Sequence, residues 1–302
     1  MKQTRIPIEF FDRYASEKRV EKVYGEKWLR WTYGTSLGKL ALWAAIKRIW
    51  FSHWYGCRMS TNKSRKLIPE FIDKYGLDVS EFRDSMESFR SFNEFFYRRL
   101  KPESRPIAEG ESRAVFPADG RHLGFADASR LDGIFVKGQH LDLPELFGSH
   151  EAAVPYERGT VVISRLCPVD YHRFHFPVSG QASPPQPING TLSSVNPIAL
   201  RQRLAIFWEN KRNLSYLDTT DFGRIATFEV GATCVGSISY SVSLPGKVTK
   251  GEEKGFFAFG GSSILTLFEP SRISLAEDLL EHSSQHRELC ARMGDIMGHV
   301  CK

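Results

Sequence analysis

A chain of 302 residues, 41% apolar and 25% charged, has the composition of a folded globular protein and excludes the disordered, collagen-like and low-complexity classes. Lys and Arg outnumber Asp and Glu by 41 to 35, a formal charge of +6 that favours an anionic partner, nucleic acid or acidic lipid, without choosing between them. The five cysteines form no CxxC pair and are odd in number, which indicates neither a zinc knuckle nor a disulfide framework and fits a reducing compartment.

In chain order, the opening MKQTRIPIEFFDRY contains acidic residues and no apolar core, so neither a secretory signal nor a transit peptide is expected. The longest wholly apolar run, Leu40 to Ile46, falls far short of the ~20 residues that cross a bilayer. Residues 28–56, WLRWTYGTSLGKLALWAAIKRIWFSHWYG, hold five of the six tryptophans among aliphatic and basic side chains, with Lys47 and Arg48 as the densest charge. Such a segment suits a membrane interface, rings at headgroup depth and cations on anionic lipid, and suits equally a helix docked on the protein's own core. RKLIPEFIDKYG predicts a helix ending at Gly76, and Ser91 with Glu94 predicts a capping box ahead of FFYRRL. The two prolines of KPESRPIAEGES then mark a boundary, so that 1–104 reads as a helical, membrane-associating region and 105–302 as a β-rich catalytic domain.

Beyond that boundary, short glycine-punctuated runs such as GTVVISRL, RIATFEVGATCVGSISYSV and GKVTKGEEKGFFAFGGSSILTLF predict closely spaced strands. The expected fold is α+β, a helical N-terminal region followed by a β-rich sandwich or barrel-like catalytic core. A helical insertion is expected over 197–208, and a second capping box, Ser274 with Glu277, at the start of a C-terminal helix. The chain carries no dinucleotide fingerprint, Walker loop or repeat of fixed period.

Three punctuated sites at the margins of β runs carry candidate chemistry. In FAFGGSSIL, Gly260 and Gly261 leave the backbone unshielded before Ser262, so the serine hydroxyl can approach the Gly261 carbonyl; taken alone, Gly-Gly-Ser-Ser is also ordinary turn or bulge chemistry. CPVDYHRFHFP supplies His172 and His175, either of which can serve a serine as base. An extended backbone points them to opposite faces, whereas a turn brings them together. FPADG supplies Asp119, a residue type that orients such a histidine, in a dipeptide equally common in turns. His-x-x-His without a further ligand at a useful spacing puts a metal well behind catalysis.

FPADG, VKGQHLDLPELFG, LCPVDYHRFHFPVSG, VGATCVGSI and KGEEKGFFAFGGSSILTLF, preceded by SRKLIPEFIDKYG and SFNEFFYRRLKPESRPI, resemble in order and spacing the phosphatidylserine decarboxylase family over most of the chain. The resemblance implies a self-processing, pyruvoyl-dependent carboxy-lyase that converts phosphatidylserine to phosphatidylethanolamine. By that resemblance Ser262 attacks the Gly261 carbonyl to give an ester, and β-elimination cuts the chain into a β chain, 1–261, and an α chain, 262–302. Residue 262 then becomes a covalent pyruvoyl group, with no external cofactor and no metal. His175 is implied as the base for Ser262, Asp119 as the group holding its imidazole, and His172 as the residue assisting decarboxylation or reprotonation once the pyruvoyl ketone has formed a Schiff base with the substrate amine.

The sequence departs from the family pattern at Ser263, where threonine is common and a second hydroxyl now competes, and at His140, where an aromatic is more usual. The implied partners are phosphatidylserine, an anionic membrane surface, the two processed chains with each other and a second copy in a homodimer, with no nucleic acid. The implied location is peripheral, on the cytoplasmic side of the cell membrane. Two alternatives stay open. A decarboxylase of a soluble amino acid gains if the aromatics of 28–56 are buried, and a serine-hydrolase-like or non-catalytic cluster of Asp119, His175 and Ser262 is disfavoured by the lack of a GxSxG elbow.

Overall fold

Strands Thr160–Leu166 and Ser262–Phe268 are buried at every position, which is why TVVISRL and SSILTLF read as near-continuous runs rather than alternating ones. In the computed structural model, which describes residues 6–46, 48–130, 134–136, 138–233, 238–258 and 262–301, these two strands pair antiparallel at the centre of an eleven-stranded sheet. On one side of the pair lie Arg224–Val230 and then Arg212–Asp218, and on the other Gly120–Phe125 and then Glu288–Ala291. Lys47 and Gly261 lie outside the described residues.

Both faces of the sheet are covered. On one, Ile163, Leu265, Leu267 and Phe228 pack against Leu146 and Phe147 of helix Leu143–Phe147, Ile198 of helix Pro197–Leu200 and Phe207 of helix Ile206–Glu209. The other face is covered partly by helix Glu277–Ser284 and partly by a three-stranded sheet of Ile238–Tyr240, Glu253–Phe257 and Arg173–His175. Phe174 and Phe257 of the small sheet interlock with Ile264, Leu166 and Ala118. Full burial of a side chain of this size contributes about 1.5–3 kcal/mol, so the interlock fixes how the small sheet sits over the central strands.

The N-terminal part is built on aromatic packing. Helix Leu67–Tyr75 ends at Gly76, whose positive φ of 66° is the left-handed cap predicted there. Helix Phe92–Phe96 starts at Ser91, whose hydroxyl accepts the Glu94 N–H at 3.2 Å, while the Glu94 carboxylate accepts from the N–H of Arg90, one residue before the cap. Phe71, Phe82, Phe89, Phe92 and Phe95 meet edge to face in one cluster, and each such pair is worth about 0.5–1.5 kcal/mol beyond its burial. Helices Glu26–Gly34, Ser36–Ala41 and Ile49–Met59 carry the tryptophan-rich segment, with Trp43 and Trp50 each 61% exposed and Leu37 72% exposed. No helix among the described residues is long and apolar enough to cross a membrane.

The fold is α+β as expected, with sheets that are not closed into a barrel. Three local expectations are corrected. Residues 9–20 are not helical: Glu9–Asp12 and Glu17–Val20 form a hairpin that completes the large sheet, Glu9–Asp12 running parallel to Glu288–Ala291. Ser274 does not cap a helix, because it is already committed to strand Ile273–Leu275 opposite His299, and Ala276 precedes the helix instead. The insertion over 197–208 divides into two short helices, Pro197–Leu200 and Ile206–Glu209.

Candidate active site

Ser262 is the first described residue after the glycine pair and the first of its strand. It is completely buried, and its hydroxyl has no hydrogen-bond partner among the described residues. A buried hydroxyl without a partner is unfavourable by about 1–3 kcal/mol, so its presence calls for a reason other than stability. Strand alternation separates it from its neighbour. Ser262 lies opposite Leu166 and shares a face with Ile264, beneath the small sheet, whereas Ser263 lies opposite Arg165 and Val230 on the face of Leu265. The two competing hydroxyls therefore point to opposite sides of the sheet, and only that of Ser262 faces the sheet carrying His175.

His175 ends strand Arg173–His175 and is buried, with its backbone N–H donating to the Pro117 carbonyl at 2.7 Å and its ring nitrogen Nδ1 unpartnered. Burial pushes its pKa down to about 4, against the opposing pull of the Glu253 and Asp119 carboxylates and the Pro117 carbonyl. At neutral pH the imidazole is uncharged, the form that accepts a proton. His172, just before the strand, is wholly buried against Phe96 with ring centroids 3.9 Å apart. Its Nδ1 lies 3.0 Å from the Asp170 carbonyl oxygen. Since a carbonyl only accepts, Nδ1 carries the proton and Nε2 the lone pair.

Asp119 departs from its expected contact. Its carboxylate accepts from Arg105 Nε at 2.9 Å and Nη2 at 2.6 Å and from the Met293 N–H at 2.9 Å, and no hydrogen bond joins it to His175. Its influence on the imidazole is that of a nearby negative charge. Arg105 in turn reaches Glu81 at 3.1 Å, so the clamp on Asp119 ties the helical part to the catalytic core. His140 is exposed on a loop.

A cavity of about 530 Å³ opens between the tryptophan-rich helices and the core. Trp28, Leu29, Phe51 and Trp54 line one wall, Leu166, Val195 and Thr233 the other, and Lys74 stands at its side. Leu166 is the residue directly opposite Ser262, so the cavity reaches the end of the strand that the serine begins.

Several buried polar groups escaped sequence reasoning. His122 is fully buried in strand Gly120–Phe125, between the Ser164 hydroxyl at 2.9 Å and the Ala291 carbonyl at 3.2 Å, and burial drives its pKa down to about 3. Arg165 is held at 2.6 Å by both Glu21 and Glu288, and Lys254 at 2.6 Å by Glu229. The available signal was a charge or imidazole set within an otherwise apolar run, as in TVVISRL, IATFEV and GRHLGF.

A buried serine on the face covered by the sheet that carries a neutral histidine, with an apolar cavity at the same strand end, is an arrangement that serine-based chemistry can use. The family model described as phosphatidylserine decarboxylase matches residues 92–296. Proteins named phosphatidylserine decarboxylase proenzyme from Fusobacterium nucleatum subsp. nucleatum and from Desulfitobacterium hafniense are similar at 42% and 40% identity, covering 97% and 96% of this chain and 97% and 98% of theirs. One from Chlamydia pneumoniae is 39% identical, with 96% of each chain covered. The chain belongs to the phosphatidylserine decarboxylase family.

Proposed function

We propose that the chain cuts itself between Gly261 and Ser262 and that the processed enzyme decarboxylates phosphatidylserine to phosphatidylethanolamine at a membrane surface. The observation that carries this reading is the Ser262 hydroxyl, fully buried, unpartnered and opposite a residue lining the large apolar cavity. In the cut, the neutral His175 imidazole takes the hydroxyl proton while Ser262 Oγ bonds to the carbonyl carbon of residue 261. The C–N bond breaks, and the same proton passes to the departing amine. Asp119 and Glu253 supply the negative field that steadies the imidazolium meanwhile. Loss of the Cα proton of residue 262 then expels residue 261 as a carboxylate from Cβ and leaves a dehydroalanine, and water hydrolyses this enamine, through its imine tautomer, to the ketone with release of ammonia.

The site fits a covalent pyruvoyl group, since the position has no competing hydrogen bond and is closed to bulk water. A pyruvoyl group there supplies a ketone that captures the substrate amine and takes up the electrons released with CO2. In this reading His172 manages a proton at Nε2 during turnover, a role supported by the Nδ1–H tautomer that the Asp170 carbonyl favours and by its packing against Phe96.

Lipid is favoured over a soluble amino acid by the exposed aromatic face, with Trp31, Trp43, Trp50 and Trp54 at the surface and the cavity beneath them lined by Trp28 and Phe51. Exposed rings with no membrane-crossing helix among the described residues suit peripheral attachment, with the basic chain drawn to anionic lipid on the cytoplasmic face. Intact mass spectrometry of the purified protein tests the first half. The expected species are 1–261 and 262–302, the latter with a pyruvoyl N-terminus, and a folded wild-type chain that stays whole would end the proposal. Release of phosphatidylethanolamine from phosphatidylserine vesicles tests the second.

A further inference from the structure

The small sheet that carries His175 contains an irregularity directly opposite it. Strand Glu253–Phe257 pairs Glu253 with His175 and Gly255 with Phe174, so Lys254 is the extra residue of a β-bulge. Gly255 permits the close approach the bulge needs, because a Cβ there would lie 2.1 Å from the Ser239 carbonyl oxygen and 2.8 Å from the Phe174 ring. Glu253 pairs with Arg173 at 2.6 Å, while Lys254 turns inward and is only 4% exposed.

The ammonium of Lys254 crosses to the large sheet, donating to Glu229 Oε1 at 2.6 Å and Ser215 Oγ at 2.6 Å. The other Glu229 oxygen accepts from the Tyr240 hydroxyl at 2.9 Å. Glu229 lies directly opposite Ile264, two residues along from Ser262 on the same face. A small cavity of about 10 Å³ has His175, Ser215, Glu229 and Lys254 among its lining residues. A space of that size holds about one water.

A buried ion pair adds little net stability relative to apolar groups of the same volume, yet it enforces one geometry. We propose that the Lys254–Glu229 pair positions His175: it pins the bulge opposite the imidazole to the strand beside Ser262 and so keeps the base within reach of the serine hydroxyl. The proposal rests on His175 being that base. The charged and aromatic groups acting on His175 are Glu253, Asp119, Arg173 and the Tyr171 ring, and Lys254 and Glu229 line the small cavity with it. Loosening the small sheet hydrates the imidazole and lets its pKa climb from about 4 toward the ordinary value of about 6.5. The acid limb of the processing rate climbs with it.

The experiment follows the cutting of freshly synthesised full-length chain as a function of pH. It compares wild type with the double variant Lys254→Met/Glu229→Gln, which removes both charges and leaves neither one buried alone. The expected result is a folded protein that is cut roughly tenfold to a hundredfold more slowly, with its acid limb raised by about one unit or more. Wild-type rate and limb in the double variant overturn the proposal. Slow cutting with an unmoved limb overturns it equally, since that marks general loosening. If the double variant does not fold, Tyr240→Phe decides, because it removes one hydrogen bond from Glu229 and no charge. Slower cutting with a raised limb supports positioning, and an unchanged rate and limb overturns it. His175→Ala run alongside separates the two layers: continued cutting in that variant removes His175 as base, whereas an inert His175→Ala beside a normally cutting double variant removes only the positioning role.

Discussion

His122 and His175 show how the same residue type is put to different use by its surroundings. Both are buried and neutral, but His122 is tied at both nitrogens, to Ser164 and Ala291, while His175 keeps Nδ1 uncommitted among the described residues. Their depressed pKa values have a consequence for stability. Above pH ~6.5 neither imidazole is protonated in the folded or the unfolded chain. As pH falls below that value the unfolded chain binds protons that the folded chain refuses until about 4 for His175 and about 3 for His122. Stability is thus full above the ordinary imidazole range and is lost on going down through it, by about 1.4 kcal/mol for each unit of depression. Urea midpoints should fall from neutral to mildly acid pH, and His122→Gln should flatten that fall; an equally steep fall in the variant would show that another group carries it. The serine pair offers a second residue-scale prediction. Ser262→Ala should leave a folded, uncut chain, whereas Ser263→Ala should still be cut, because it removes an unpartnered hydroxyl from the opposite face. Fragment masses after expression decide, and an uncut Ser263→Ala chain would reverse the assignment.

Among the elements, the two predicted capping boxes separate local from tertiary control. Ser91 caps because nothing else competes for it, and its hydroxyl meets the Glu94 N–H as the motif demands. Ser274 carries the same signature, but pairing of Ile273–Leu275 with Ile296–Val300 claims its backbone first. The strands holding buried charge were readable as strands and unreadable as sites, since the partners of Arg165 lie 144 and 123 residues away. Glu21 and Glu288 grip that guanidinium from the N-terminal and C-terminal ends of the chain. Arg165→Met strands two buried carboxylates and is expected to lower unfolding free energy by about 3–5 kcal/mol. Chemical denaturation measures this, and a loss well under that range would mean the carboxylates find water or other partners.

For the whole molecule, the position of Ser262–Phe268 between Arg224–Val230 and Thr160–Leu166 sets the fate of the products of cutting. Residues 262–302 supply a central strand, strand Glu288–Ala291 and the buried Glu288, so the two fragments should co-migrate on native size exclusion and separate only in denaturant. Fragments that part without denaturant would contradict this account of the fold. The exposed tryptophan face makes a further prediction. Intrinsic fluorescence should shift to the blue on adding anionic vesicles, less so at high salt, and the shift should shrink in Trp43→Ser/Trp50→Ser; an unchanged spectrum would argue against membrane docking by this face. By itself the sequence determined the α+β texture, the family and the three short motifs that hold Ser262, His175 and Asp119, because turn chemistry, apolar runs and motif spacing are local properties. Only the tertiary structure decided that Ser262 and Ser263 point to opposite sides of the sheet, with Ser262 on the side of the small sheet, that Arg105 rather than His175 holds Asp119, and that the N-terminal hairpin extends the sheet at its edge. Each of those depends on strand register and on contacts between residues distant in the chain, which no local pattern records.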